Sequence, residues 1–110
     1  MKIRKVYTCP LEIVHDILKG KWKTVILWHL NYFGKVSLAD LERSIKGISQ
    51  KMLLEQLKEL RNFGLVKKKS YDGYPLKVEY FLTNDKGKRI IEALSIMQEI
   101  GQEYIDEQES

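Results

Sequence analysis

Cysteine is almost missing from this chain: Cys9 stands alone among 110 residues, which excludes an intramolecular disulfide. Proline occurs only as Pro10 and Pro75, so the segments between them are free to form helix. No apolar run approaches the roughly 20 residues needed to cross a bilayer, and no signal-peptide core opens the chain. With one thiol and no address, the simplest expectation is a cytoplasmic protein without membrane contact. Histidine is scarce too. His15 and His29 stand in no metal-ligand spacing, and no nucleophile, base and orienting acid assemble around them, so neither an enzyme nor a metal or cofactor site is expected. The seven glycines are scattered as breakers and form no phosphate-cradling loop.

The last absence is one of sign. Residues 90–110 contain six Asp and Glu but no Lys or Arg, a net −6, whereas residues 1–89 hold all 19 Lys and Arg against nine acids, a net +10. One part of the molecule attracts polyanions and the other does not. A basic surface of this kind is the electrostatic footprint of nucleic-acid binding, although a solvated lysine-rich face gives the same count. What is present is apolar matter for a core: hydrophobic residues make up 44% of the chain, and a domain of this size buries roughly 65% of its unfolded surface.

A single domain is expected over residues 1–110, with a core at about 9–104, an N-terminal arm at 1–8 and a last helix at about 84–106. Cys9-Pro10 opens a first helix, with Leu11, Val14, Ile17 and Leu18 as its apolar stripe and Gly20 at its end. A second helix runs from about Lys21 to Asn31, and Gly34 breaks the pattern. Ser37-Leu38-Ala39-Asp40 fits the capped start of a third helix. Lys46-Gly47-Ile48 is then a tight turn, and Ser49 an N-cap for a fourth helix. Two short helices joined by such a turn make a helix-turn-helix. On the fourth helix Leu53, Leu57 and Leu60 share one face and Lys51, Glu55, Lys58 and Asn62 the opposite one. Gly64 stops it. Leu65–Tyr71 and Lys77–Leu82 then alternate as strands around the turn-rich Asp72-Gly73-Tyr74-Pro75. The fold class expected is α+β, mainly α: a winged helix-turn-helix with a two- to three-stranded wing and a C-terminal dimerisation helix. Along that last helix Ile90, Leu94, Met97, Gly101 and Tyr104 recur at steps of four and three, with Ala93, Ile96 and Ile100 widening the stripe.

Cys9-Pro10, Gly20-Lys21-Trp22, Gly47-Ile48-Ser49-Gln50-Lys51-Met52-Leu53, Gly64-Leu65-Val66 and Tyr74-Pro75 with Val78-Glu79-Tyr80 to Leu82-Thr83, in this order and spacing, resemble the HxlR-type winged helix-turn-helix regulators. The resemblance covers Cys9 to about Tyr104. It implies a small transcription factor related in architecture to the MarR group, acting as a homodimer on operator DNA. An N-terminal cysteine before a proline serves some members as a sensor of electrophiles or oxidants.

In a helix-turn-helix the N-terminal residues of the second helix meet base edges in the major groove of double-stranded DNA. Here these are Gln50, Lys51 and Leu54, with Lys58 one turn on and Ser49 placed to cap the helix or meet a phosphate. Lys67, Lys68, Lys69, Tyr71 and Gly73 form the expected wing contacts, and Ser37, Arg43 and Lys46 the backbone contacts around the motif. Leu11, Val14, Ile90, Leu94, Met97, Ile100 and Tyr104 are the expected dimer interface. Cys9, with Arg4 and Lys5 nearby, is the redox candidate, its competing role being a packed helix cap. Trp22, Trp28, Tyr32 and Phe33 could line an effector pocket or simply fill the core, and the effector itself is unknown. A winged helix used for RNA or a protein partner is the alternative function, kept open by Tyr71 and Tyr74.

Overall fold

The computed structural model describes residues 9–109, so the arm at 1–8, with Arg4 and Lys5, lies outside the described residues. Five helices and three strands follow in order: α1 Pro10–Leu18, α2 Lys23–Phe33, β1 Lys35–Ser37, α3 Leu38–Ser44, α4 Gln50–Asn62, β2 Val66–Tyr71, β3 Lys77–Leu82 and α5 Lys86–Glu109.

The local chemistry accounts for most boundaries. Pro10 occupies the first position of α1, where its missing N–H costs nothing, and the Glu12 carboxylate accepts from the Cys9 amide at 2.8 Å. Ser37 and Ser49 cap α3 and α4, their hydroxyls accepting from the amides of Asp40 and Met52 at 3.2 and 3.1 Å. Gly64, with φ of +77°, turns the chain out of α4 in the left-handed region. The second helix begins at Lys23, not Lys21, and extends to Phe33. Gly20 at φ +102° swings the chain, and Trp22 acts as the N-cap residue.

β1 comes from the segment where only a break at Gly34 is visible in the sequence. It pairs antiparallel with β3, giving the sheet order β1-β3-β2 and bringing Lys35 opposite Phe81, Val36 opposite Tyr80 and Ser37 opposite Glu79. β2 starts at Val66, one residue later than the pattern suggests, because the Leu65 amide still donates to Leu60 O at 3.0 Å as part of the exit from α4.

α2 is the hub of the core. Its Ile26, Leu27 and Leu30 are fully buried among Leu41, Leu53, Leu57, Leu60 and Val66, each such side chain contributing about 1.5–3 kcal/mol relative to exposure. The junction before α5 is equally close. The Thr83 hydroxyl donates to Gly64 O and accepts from the Gly87 amide, both at 2.8 Å. At Gly87 a Cβ would sit 2.3 Å from the Leu65 carbonyl oxygen, so only glycine fits where α5 crosses the start of the wing.

Candidate nucleic-acid interface

α3 and α4 are connected by Ile45 to Ser49. Ile45 and Ile48 are buried and pin this turn to the core, while Gly47 takes φ +90° with Trp22 just beyond the position of its absent Cβ. The turn therefore presents Lys46 outward, exposed. Ser37 keeps its hydroxyl on the Asp40 amide. Arg43 pairs with Asp40 on the same exposed helix face; a surface pair is worth only about 0–1 kcal/mol, so its guanidinium can exchange onto a phosphate.

α4 divides cleanly between two faces. Leu53, Leu57 and Leu60 are at most 1% exposed and fix the helix to the core. Gln50, Lys51, Leu54 and Lys58 all stand on the solvent side, and Leu54 leaves 42% of its surface in water. The assembled face thus offers an amide, two ammoniums and a methyl-bearing side chain within two turns. That set matches adenine, guanine and the thymine methyl in a major groove.

An ion pair behind this face, buried at its lysine end, is invisible in the sequence pattern. Lys23 is 3% exposed, and its Nζ lies 2.5 Å from the Glu59 carboxylate on the rear flank of α4. The same ammonium donates a long hydrogen bond, 3.5 Å, to Lys19 O. α2 is thereby tied by charge to the helix that carries Gln50, Lys51, Leu54 and Lys58.

The register of β2 and β3 sorts the wing residues. Lys68 pairs with Tyr80, which is buried, so Lys68 lies on the side of the sheet that covers the core. Lys67 and Lys69, opposite Phe81 and Glu79, take the other side. Three exposed lysines therefore point two ways from one strand. Tyr71 is half-buried beneath two ammoniums, those of Lys69 at 4.9 Å and Lys77 at 5.2 Å from its ring centroid. Its phenol is held above the usual tyrosine range, first by its hydrogen bond to Glu79 and then by desolvation and the Glu79 charge. Gly73 lies at the tip with φ +131°. Beside it Tyr74 is wholly exposed, an aromatic tip that the sequence marks only for the RNA or protein alternative and not among the expected DNA contacts. Lys35 and Lys77 escape that reasoning as well: Lys77 is legible from strand alternation, Lys35 only once β1 is known.

The residues expected to form a dimer interface separate into two sets. Leu94 is 5% exposed, already covered by its own α2, and offers a partner little surface; Ile90 also packs partly on the core. Met97, Ile100 and Tyr104 remain 59, 47 and 64% exposed, as do Leu11 and Val14 on α1 at 73 and 39%. Helix geometry separates them: at 100° per residue, Leu94 and Gly101 face α2, whereas Met97, Ile100 and Tyr104 form a stripe beside that contact. Tyr32 is 82% exposed and Phe33 39%, stacked edge-on at 5.2 Å, while Trp22 and Trp28 pack against the core. The four aromatics do not converge on one enclosed pocket; a shallow groove takes only Trp28, Tyr32 and Phe33. Cys9 is exposed at the N-terminus of α1. His29 bonds to Val25 O one turn back at 2.8 Å, a helix-face role. No helix among the described residues is long and apolar enough to cross a membrane.

The model of the HxlR-like helix-turn-helix family matches residues 17–109. A protein of Fusobacterium mortiferum named as a regulator, MalR, is 43% identical over 97 residues, covering 88% of this chain and 91% of that protein. An uncharacterised HTH-type transcriptional regulator of Methanothermobacter thermautotrophicus is 38% identical over 104 residues, or 94% of this chain and 78% of that one. Among solved structures, the redox regulator HypR in its reduced form superposes with a TM-score of 0.82 at 35% identity, spanning 92% of this chain and 98% of that one.

Proposed function

We propose that this chain, which belongs to the HxlR-like helix-turn-helix family and is a transcriptional regulator, reads operator DNA as a homodimer through the outward face of α4. The observation that carries the reading is the split of that helix: three leucines sealed in the core, with Gln50, Lys51, Leu54 and Lys58 left in water on the other side. Gln50 pairs bidentately with adenine, Lys51 donates to guanine and Leu54 packs on a thymine methyl. Lys58 and the wing lysines Lys67, Lys68 and Lys69 bind phosphates, with Ser37, Arg43 and Lys46 holding the backbone on the far side of the turn and Tyr71 and Gly73 at the wing. The exposed apolar stripe of α5, with Leu11 and Val14 of α1, joins two protomers. Two reading helices about a two-fold axis then address half-sites about 34 Å apart.

Binding to a palindromic promoter site and to a scrambled duplex, measured across a salt series, tests this. Tight binding to the palindrome alone is expected; equal affinity for both sequences sinks the sequence-specific reading, and a steep salt slope by itself reports only phosphate contact.

A second reading concerns Cys9. An exposed thiol heading a helix, on a chain similar to a redox regulator solved in both reduced and oxidised forms, supports oxidant sensing. With one thiol per chain, diamide would take one electron and one proton from each of two Cys9 thiols, closing an inter-protomer disulfide while itself becoming the hydrazine. DNA binding by Cys9→Ser and the parent, with and without diamide, decides it: identical responses remove Cys9 from the mechanism.

A further inference from the structure

α4 carries two acids, and the structure treats them differently. Glu59 is committed to Lys23 on the core flank. Glu55 is exposed and, among the described residues, makes no hydrogen bond or ion pair, although Lys51 stands four residues before it and Lys58 three after it, spacings that suit helical pairing. At 100° per residue Glu55 falls within roughly 15° of the line opposite the centre of Leu53, Leu57 and Leu60. It therefore points away from the core more directly than Lys51 or Lys58. A duplex that takes α4 into its major groove meets this carboxylate head on. An acid so placed repels the phosphates, and its own desolvation is offset only over a base that offers it a donor.

We propose that Glu55 is a specificity-determining residue that reads one cytosine in each half-site, its carboxylate accepting from the exocyclic N4 amino group. The proposal rests on the operator-binding reading above. The major-groove edges decide among the four bases. Guanine presents N7 and O6 and thymine O4, all acceptors that repel a carboxylate. Adenine presents an amino donor with the N7 acceptor beside it. Cytosine presents its amino donor with no acceptor on the same edge. The cytosine falls within about two base pairs of the guanine assigned to Lys51, because residues four apart on a helix hold their Cβ atoms about 6 Å apart and successive bases rise about 3.4 Å. The charge has a second effect. Over any duplex that lacks the donor the carboxylate stays unpaired, so Glu55 sharpens discrimination by weakening the wrong complexes.

The experiment measures relative affinities for a palindromic operator and its symmetric single-base substitutions across both half-sites, with the parent, E55Q and E55A. The parent is expected to prefer cytosine at one position of each half-site, with thymine or guanine there costing about ten-fold. In E55Q that preference should move to adenine, which an amide binds bidentately, and in E55A it should fall to about two-fold or less. Both variants should keep the preferences at the other positions and bind a scrambled duplex more tightly than the parent does. A parent profile with base preferences but no such cytosine overturns the proposal. So does an E55A profile that keeps the parent's preference at every position, which is the mark of an acid that only tunes charge. A parent that prefers no base at any position would instead refute the operator-binding reading, and this contact with it.

Discussion

Removing either end of the Lys23–Glu59 pair should hurt this protein unequally. Lys23 is 3% exposed and Glu59 33%. In Glu59→Met the ammonium stays buried with only the 3.5 Å bond to Lys19 O, and an uncompensated buried charge costs about 3–5 kcal/mol. In Lys23→Met the stranded group is a carboxylate that water already reaches, so the loss should be nearer to about 1–2 kcal/mol. Lys23→Met/Glu59→Met removes both charges and leaves apolar contacts in their place, a change that is often close to neutral. The predicted order of stability is therefore parent and double variant at the top, Lys23→Met below them and Glu59→Met last. Urea unfolding at one fixed protein concentration measures it, because any dimerisation makes the midpoint concentration-dependent. A coupling energy of about 2 kcal/mol or more should emerge from the cycle. Equal losses in the two single variants, or simple additivity, would refute the claim that a buried Lys23 ammonium ties α2 to α4 through Glu59.

Gly87→Ala should destabilise by about 2 kcal/mol or more, since a Cβ there meets the Leu65 carbonyl oxygen; a thermal midpoint within a degree of the parent would contradict the close crossing. Leu94→Ala should cost about 2–5 kcal/mol through a cavity beside α2, whereas Ile100→Asp should leave the fold intact and shift the molecule to monomer in sedimentation; the reverse pattern would mean that the two stripes of α5 are misassigned. The Tyr71 phenol, held neutral by Glu79, should ionise at higher pH than an ordinary tyrosine and return toward normal in Glu79→Gln, as read by NMR of ring-labelled tyrosine. Because the folded-state value is raised, this interaction supports the fold below the normal tyrosine pKa and is lost as pH climbs through the raised one.

The helix-turn-helix is readable in the sequence because its signals are local. Ser37 and Ser49 cap within three residues, and the leucines of α4 repeat within the helix itself. The wing strands are readable from alternation and turn residues. β1 is not, since three residues carry no period and its pairing with β3 joins segments more than forty residues apart. Lys23 sits in the sequence like any helix-surface lysine; its burial depends on Glu59, 36 positions later. The apolar stripe of α5 is plain, but only packing shows that α2 covers Leu94 and leaves Met97, Ile100 and Tyr104 uncovered. Likewise the run Lys67-Lys68-Lys69 guarantees that the lysines alternate, while only the pairing of Lys68 with buried Tyr80 shows which of them lies on the core side of the sheet.

The central claim is that α4 reads sequence while the wing supplies grip. Fluorescence-anisotropy titrations of operator and scrambled duplexes at one salt concentration, with the parent, Gln50→Ala/Lys51→Ala and Lys68→Ala, test it directly. Removing one base-reading side chain should cost about 1–3 kcal/mol of discrimination, so the α4 variant should forfeit most of the ratio of the two affinities, and Lys68→Ala should weaken both duplexes while keeping that ratio. An unchanged ratio in the α4 variant would contradict the account.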